Sequence, residues 1–249
     1  MGKICAILQA RMNSGRLWGK ALMPLCGKPA LEHVLDRISR IRLIDRIVVV
    51  TTTSGDDDPV VELAGELGYQ LFRGSGDDIL SLYYHAALKE RLEYGDAVVR
   101  FTADCPLLDR RISTKVIQAY NEHMPEVDIV TNGGGNGPRR TYPQGIDTEV
   151  FSFLKLAEAH RNAAGSFRRE HVTPYIYETG RTMLVENETD YSHFRLNLDT
   201  LQDYRMISAV YEELYNSRND FGFDQVIELL EVRPDIADIN SGSAQKNGV

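Results

Sequence analysis

Twelve residues near the amino terminus, Gln9-Ala10-Arg11-Met12-Asn13-Ser14-Gly15-Arg16-Leu17-Trp18-Gly19-Lys20, hold three fixed cations, a hydroxyl and two glycines. Arg11, Arg16 and Lys20 can neutralise the spread charge of a polyphosphate, while backbone N–H groups approach its oxygens. Glycine at 15 and 19 lets the chain turn back on such a ligand. The G-x-G-x-x-G and Walker patterns are both absent, which excludes an ordinary dinucleotide or P-loop site. A solvated basic loop would have the same composition, so the order of the residues has to separate the two readings.

Cations act together only on a rigid frame, and the flanking sequence supplies one. Ile4 to Leu8 is an apolar run that ends just before the basic segment and reads as a buried strand. Leu31, Val34, Leu35 and Ile38 share one helical face; Ile47 to Val50 reads as a second buried strand. Pro59 opens a helix with Val60, Leu63, Ala64 and Leu67 on its apolar face, and Gly68 ends it. Strands at Gln70 to Phe72, Ala97 to Phe101 and Val127 to Val130 then alternate with helices from about Asp77 to Leu92 and Ile112 to His123. This alternation predicts an α/β fold with a mostly parallel central sheet and helices on both faces. Ligands in such folds gather beyond the carboxyl ends of the strands. Four polar segments fall there: Gln9 to Lys20, Thr51 to Asp58, Arg73 to Asp78 and Thr102 to Asp109.

The pattern changes after about residue 131. Gly133 to Pro138 reads as a loop, followed by a strand near Asp147 to Phe151 and helices near Phe153 to Ala163 and Arg169 to Glu178. Two β runs, Thr182 to Glu186 and Phe194 to Leu198, precede helices near Asp203 to Tyr215 and Asp224 to Leu230. Asp147 and Glu149 alternate with Ile146 and Thr148, so on a strand both carboxylates face one way. Asp56-Asp57-Asp58 abuts Pro59 and reads as charge at a helix start. Residues 1–240 are expected to form one domain, with 241–249 as a frayed tail.

Composition narrows the function classes. The 249 residues carry a net charge of −8, with 43% hydrophobic and 26% charged residues, which argues against disorder and against sequence-independent nucleic-acid or anionic-membrane binding. No apolar stretch approaches the ~20 residues of a membrane helix, and the start is too weakly apolar for a signal peptide. Ala6 stands where a myristoylation signal at Gly2 would want Ser or Thr. Cys5, Cys26 and Cys105 are odd in number and far apart, so neither a disulfide frame nor a zinc site fits. A cytoplasmic protein is expected.

The order Arg-x-x-Ser-x-Arg-Leu-x-Gly-Lys, running on into Ala21-Leu22-Met23-Pro24-Leu25-Cys26-Gly27-Lys28-Pro29, resembles the nucleotide-binding signature of cytidylyltransferases that activate acidic sugars. The likeness is greatest to the SpsF-type spore-coat polysaccharide branch, related to the acylneuraminate and 3-deoxy-manno-octulosonate enzymes. Five further segments agree in order: Phe72-Arg73-Gly74-Ser75 with Asp77-Asp78-Ile79-Leu80, Arg100 to Leu107, Tyr142 to Phe151, Arg169 to Ile176, and Arg195 to Thr200. Relatives usually carry Gly, Thr and Pro where this chain has Asn13, Gly15 and Trp18, and Gly in place of Ala103; the Trp18 ring could stack on a base or close the site.

The resemblance implies a Rossmann-like nucleotidyltransferase fold of the GT-A type, CTP as donor, Mg²⁺ as cofactor and an acidic sugar as acceptor. Its nucleotide half would be about 1–131 and its acceptor and dimerisation half about 132–240. By matching position, Arg11, Ser14, Arg16 and Lys20 would hold the triphosphate, with Arg11, Arg16 and Lys20 catalytic and Ala10 also at the nucleotide. Arg73 and Ser75 would lie near the nucleoside, and Asp104 and Asp199 would hold the metal, Asp104 also touching the nucleotide. Both acids end predicted strands and can converge on one sheet edge; either alone also reads as a helix cap. Asp147, Glu149, Arg169 and His171 are the acceptor-side candidates, with Arg139 and Arg140 beside them; a polar sheet face, surface arginines and a structural histidine are the competing readings. Relatives often form homodimers, and 133–180 is the stretch expected at the contact. Two rivals stay open: a glycosyltransferase, which would want an Asp-x-Asp where Asp104 stands alone, and a non-catalytic nucleotide- or sugar-binding homologue.

Overall fold

Successive residues of the first apolar run point to opposite faces, and both faces are buried: Ile4, Ala6 and Leu8 pack in one hydrophobic cluster, Cys5 and Ile7 in another. This run is strand β1 (Ile4–Gln9) in the computed structural model, which describes residues 2–13, 15–76, 78–133 and 140–242. Ser14, Asp77, the loop residues 134–139 with Arg139, and the tail beyond 242 lie outside the described residues.

After β1 come a small hairpin of β2 (Pro24–Leu25) and β3 (Lys28–Pro29), helix α1 (Ala30–Ser39), β4 (Arg46–Thr52), α2 (Asp58–Glu66), β5 (Gln70–Gly74) and α3 (Ile79–Lys89). The chain continues through β6 (Ala97–Thr102), α4 (Arg110–His123), β7 (Ile129–Thr131), β8 (Glu149–Ser152) and α5 (Phe153–Asn162). It closes with α6 (Ser166–His171), α7 (Pro174–Thr179), β9 (Thr182–Leu184), α8 (Leu201–Leu214), α9 (Phe223–Val232) and α10 (Pro234–Ala237).

Seven strands form one sheet in the order β5-β4-β1-β6-β8-β7-β9. The pairs β1–β4, β4–β5, β1–β6 and β7–β9 are parallel, and β8 runs antiparallel to both β6 and β7. The chain steps outward from β1 to β4 and β5, then returns to β6 on the other side of β1. Winding therefore reverses between β1 and β6, and a crevice opens there beyond their carboxyl ends.

The helices cover both faces, as the alternation predicts. Leu31, Leu35 and Ile38 of α1, Val60 of α2 and Val116 of α4 pack on one face; Leu80 and Tyr83 of α3, Leu156 of α5 and Ile176 of α7 pack on the other. A third cluster joins α8, α9 and α10 to Leu107, Ile112, Tyr142, Leu196 and Leu198, just past the strand ends. Among the described residues, no helix is long and apolar enough to cross a membrane.

Four local expectations change. Phe194 to Leu198 joins no strand; Arg195 makes an isolated parallel bridge with Gln144, Leu196 N–H donates to the Gln144 carbonyl and Leu198 N–H to the Asp104 carbonyl, both at 2.7 Å. The helix read at Arg169 to Glu178 is two short helices, because Val172 turns at a φ of 71° and Pro174 can only begin a new one. β8 starts at Glu149, leaving Asp147 outside the ladder, so the two carboxylates do not share a strand face. The β2–β3 hairpin went unread because its strands are two residues each; Cys26 and Gly27 turn it at φ of 46° and 83°, as a tight two-residue loop requires.

Candidate active site

The basic segment leaves the sheet under tight control. Ala10 is buried, and its N–H donates to the Val50 carbonyl of β4 at 3.0 Å. Met12 N–H then donates to Asp57 Oδ1 at 2.7 Å, and Gly19 N–H returns to the Met12 carbonyl at 2.8 Å, pinching the loop at its base. Gly19 sits at a φ of 72°, the left-handed region that favours glycine. Asp57 also accepts from the Thr52 N–H at 3.1 Å and the Thr52 hydroxyl at 2.5 Å. Burial pushes its carboxyl up, but these donors outweigh burial and hold it below the usual carboxylate range. The acidic triplet thus does more than charge a helix start: its middle member anchors the basic loop to β4.

Lys20 follows Gly19 and reaches across the crevice. Its Nζ lies 2.7 Å from Asp104 Oδ2 and 2.7 Å from Asp199 Oδ1, so those oxygens are no more than twice that distance apart. Asp104 stands two residues beyond β6, and the Leu198 bond to its backbone carbonyl brings the Asp199 segment alongside. Arg16 Nη2 donates to Asp199 Oδ2 at 2.5 Å. Burial by itself would raise the Asp104 carboxyl, yet the Lys20 charge and hydrogen bond prevail and lower it to about 2. The Lys20 ammonium, which burial works to discharge, is pushed up instead by the two carboxylates. All of these settings favour the charged forms of Lys20 and Asp104 at neutral pH.

Asp199 is held from behind by buried groups. Arg195 Nη2 reaches its Oδ2 at 3.1 Å, and Asn197 Nδ2 reaches the same oxygen at 2.5 Å. Arg195 is itself fixed by Asp203 at 2.9 and 3.2 Å and by Gln144 Oε1 at 3.0 Å. Asn240, near the end of the described chain, donates to both Asp203 Oδ1 and the Arg195 carbonyl at 2.9 Å. The cap of α8 is Thr200, completed by Asp203 as a capping box, so Asp199 is not spent on a helix end. Gly145 lets the neighbouring backbone come this close: with φ at 103°, a β-carbon there would sit 2.3 Å from Asn197 N.

Lys20 and Asp104 border a cleft of about 170 Å³ at the β1–β6 switch point, lined also by Gln9, Arg11, Arg100 and His171 among others. Arg11 spans it to Glu170 at 3.5 Å. Trp18 is exposed, with 64% of its surface open to solvent, whereas Ala103 is buried and donates its N–H to the Gln9 carbonyl at 2.9 Å.

The remaining candidates separate. Arg73 is engaged with the loop after β4, donating to the Thr52 and Ser54 carbonyls at 2.8 Å and pairing with Asp58 at 2.8 Å, and Ser75 follows β5; neither lines the cleft. Asp147 pairs with Arg140 at 2.5 Å. Glu149 is buried, bound to Arg100 at 2.5 Å, the Tyr177 hydroxyl at 2.6 Å and the Thr173 hydroxyl at 3.0 Å. Arg169 clamps the start of α3, gripping the Asp78 carboxylate, Ser81 Oγ and the His160 carbonyl. His171 alone of the four acceptor-side candidates lines the cleft.

Sequence reading assigned no role to Arg100, Arg195, Asn197 or Asp203. Arg195 standing four residues before Asp199 and eight before Asp203, at a helix start, was the available signal.

The sequence model of the cytidylyltransferase family matches residues 5–236, nearly the whole chain. The chain belongs to the cytidylyltransferase family. This cytidylyltransferase is similar over 95% of its length, at 29% identity, to the spore coat polysaccharide biosynthesis protein SpsF of Bacillus subtilis, 98% of which is covered. Its fold superposes on the structure of a cytidylyltransferase from Leptospira borgpetersenii with a TM-score of 0.88 at 29% identity, over 95% of this chain and 97% of that one. A CMP:2-keto-3-deoxy-manno-octonic acid synthetase solved with CTP has the same fold, with a TM-score of 0.64 at 16% identity over 85% of this cytidylyltransferase and 99% of that chain. The α/β nucleotidyltransferase fold expected from the sequence is the one observed.

Proposed function

We propose that this cytidylyltransferase uses CTP and Mg²⁺ to activate an acidic sugar for surface polysaccharide assembly, releasing pyrophosphate. The observation that carries the reading is the Lys20 ammonium set between Asp104 and Asp199 at the switch point, with Arg16 beside it. Support for CTP comes from the family and from the CTP-bound synthetase of the same fold. Support for an acidic sugar comes from relatives such as the 3-deoxy-manno-octulosonate cytidylyltransferase of Syntrophobacter fumaroxidans, of which the chain matches about half.

The donor set fits a hard divalent cation. Among the described residues, no group of three or more His, Cys, Asp or Glu side chains could hold a metal ion. The chain would therefore supply two carboxylates, with phosphate oxygens and water completing the shell, which is the arrangement Mg²⁺ prefers. When bound, the ion supplies electrophilic activation of the α-phosphate and a lower pKa for the acceptor hydroxyl.

The chain's own residues do the rest. Arg11, Arg16 and Lys20 line the path of the triphosphate and stabilise negative charge as it builds on departing pyrophosphate. The acceptor oxygen attacks the α-phosphorus as the bond to the β-phosphate oxygen breaks, so in-line positioning supplies much of the rate. His171 borders the cleft and would meet the acceptor, and Arg100, held by the buried Glu149, lines it as well. Working as a cytoplasmic homodimer with contacts in 133–180 belongs to the same proposal.

Pyrophosphate release should appear with CTP, Mg²⁺ and an acidic sugar from a panel of ulosonic and nonulosonic acids, and stay near background with ATP, GTP or UTP. Turnover of a nucleotide-sugar with none of CTP would overturn the reading.

A further inference from the structure

A lysine that serves a triphosphate must have its ammonium free to meet it, yet the Lys20 ammonium occupies the place between the two carboxylates. A divalent cation bound by both Asp104 and Asp199 would need its oxygens at about 2.0–2.1 Å, within the volume that Nζ fills at 2.7 Å from each. The two cations cannot share that point. Lys20 is largely buried, and leaving the carboxylates without a new anionic partner would strand a charge in a desolvated cleft. The triphosphate is the partner that the cleft can provide, beside Arg11 and Arg16.

We propose that Lys20 is a tethered counter-ion that keeps the metal seat filled until the triphosphate draws it away, so that metal and nucleotide enter together. The proposal rests on the reading of Asp104 and Asp199 as the seat. Its chemical consequence is linkage: an anion that attracts Lys20 raises metal affinity, and the metal by the same factor raises affinity for that anion. In the nucleotide-free protein the metal must compete with an ammonium held at effectively high local concentration.

Mn²⁺ titrated into the nucleotide-free protein, with free ion counted by electron paramagnetic resonance, reads this without catalysis. Lys20→Met should bind Mn²⁺ about tenfold or more tightly than the wild type, since a competing charge has been removed. Adding Asp104→Asn to that variant should abolish the gain. Asp199 retains Arg16, Arg195 and Asn197, so the fold should survive; Lys20→Gln, with a polar end of similar reach, is the second variant and should show the same gain. Unchanged or weaker Mn²⁺ binding in both Lys20 variants, with binding still sensitive to Asp104→Asn, overturns the counter-ion role and leaves the seat intact. Binding indifferent to Asp104→Asn in every background overturns the seat itself.

Discussion

Replacing Asp104 with Asn should lower pyrophosphate release by about 10²–10³-fold or more, with the melting temperature little changed. The side chain keeps its shape, so what disappears is one negative charge on the oxygen facing Lys20. That charge is firmly maintained in the wild type: the carboxyl is held at about 2, so it is ionised throughout the neutral range. Asp104 is only partly buried, and the backbone bond from Leu198 N–H to its carbonyl does not depend on the side chain. Lys20→Ala should lose a comparable factor for the complementary reason, because the departing pyrophosphate loses its most deeply set cation. Steady-state kinetics paired with thermal melting separates the two effects. Near wild-type release from either folded variant would remove both residues from the chemistry.

Arg195→Met should cost about 3–5 kcal/mol of folding stability, because it leaves Asp203 and Asp199 buried without their shared cation. Arg195 and Asp203 are 5% and 0% exposed, so solvent screens little of this loss. Burial alone would raise the Asp203 carboxyl; the hydrogen bond from Arg195 wins and keeps it below the usual range. A depressed carboxylate contributes stability that is fully present above its unfolded value of about 3.9 and is lost as pH falls through the lower folded value. The wild type should therefore lose stability below about pH 4. In Arg195→Met the stranded carboxylate is relieved by protonation, so the gap between variant and wild type should narrow in acid. Urea denaturation at pH 7 and pH 4 measures both quantities; a penalty that is small at pH 7, or constant with pH, would show that Arg195 does not hold this network. Activity in the folded fraction should also fall, since Asp199 loses its rear support.

How far the sequence carries such conclusions depends on the range of the interactions involved. β1, β4 and β6 were legible because a strand buried on both faces must be apolar throughout, and the helices because their apolar faces repeat at 3.6 residues. The basic loop was legible because its chemistry is contiguous. Asp104 and Asp199, 95 positions apart in the chain, were paired through family resemblance and the expectation that strand ends converge. Residues that act through partners distant in sequence were not legible. Asp57 looks like helix-start charge until Met12 N–H is seen to end on it. Arg169 looks like an acceptor ligand until the Asp78 carboxylate is found in its grip. Glu149 reads as half of a carboxylate pair facing one way on a strand, yet the strand begins only at Glu149, two residues past Asp147, and Arg100 claims its carboxylate.

On the proposed reading, a triphosphate loop and a two-carboxylate cation seat face each other across the β1–β6 switch point. Anomalous scattering from a crystal grown with CTP and Mn²⁺ tests it most directly. The expected result is a manganese peak between Asp104 and Asp199, with the triphosphate along Arg11, Arg16 and a displaced Lys20. A manganese peak remote from both carboxylates, or a triphosphate bound away from the Gln9 to Lys20 loop, would contradict it.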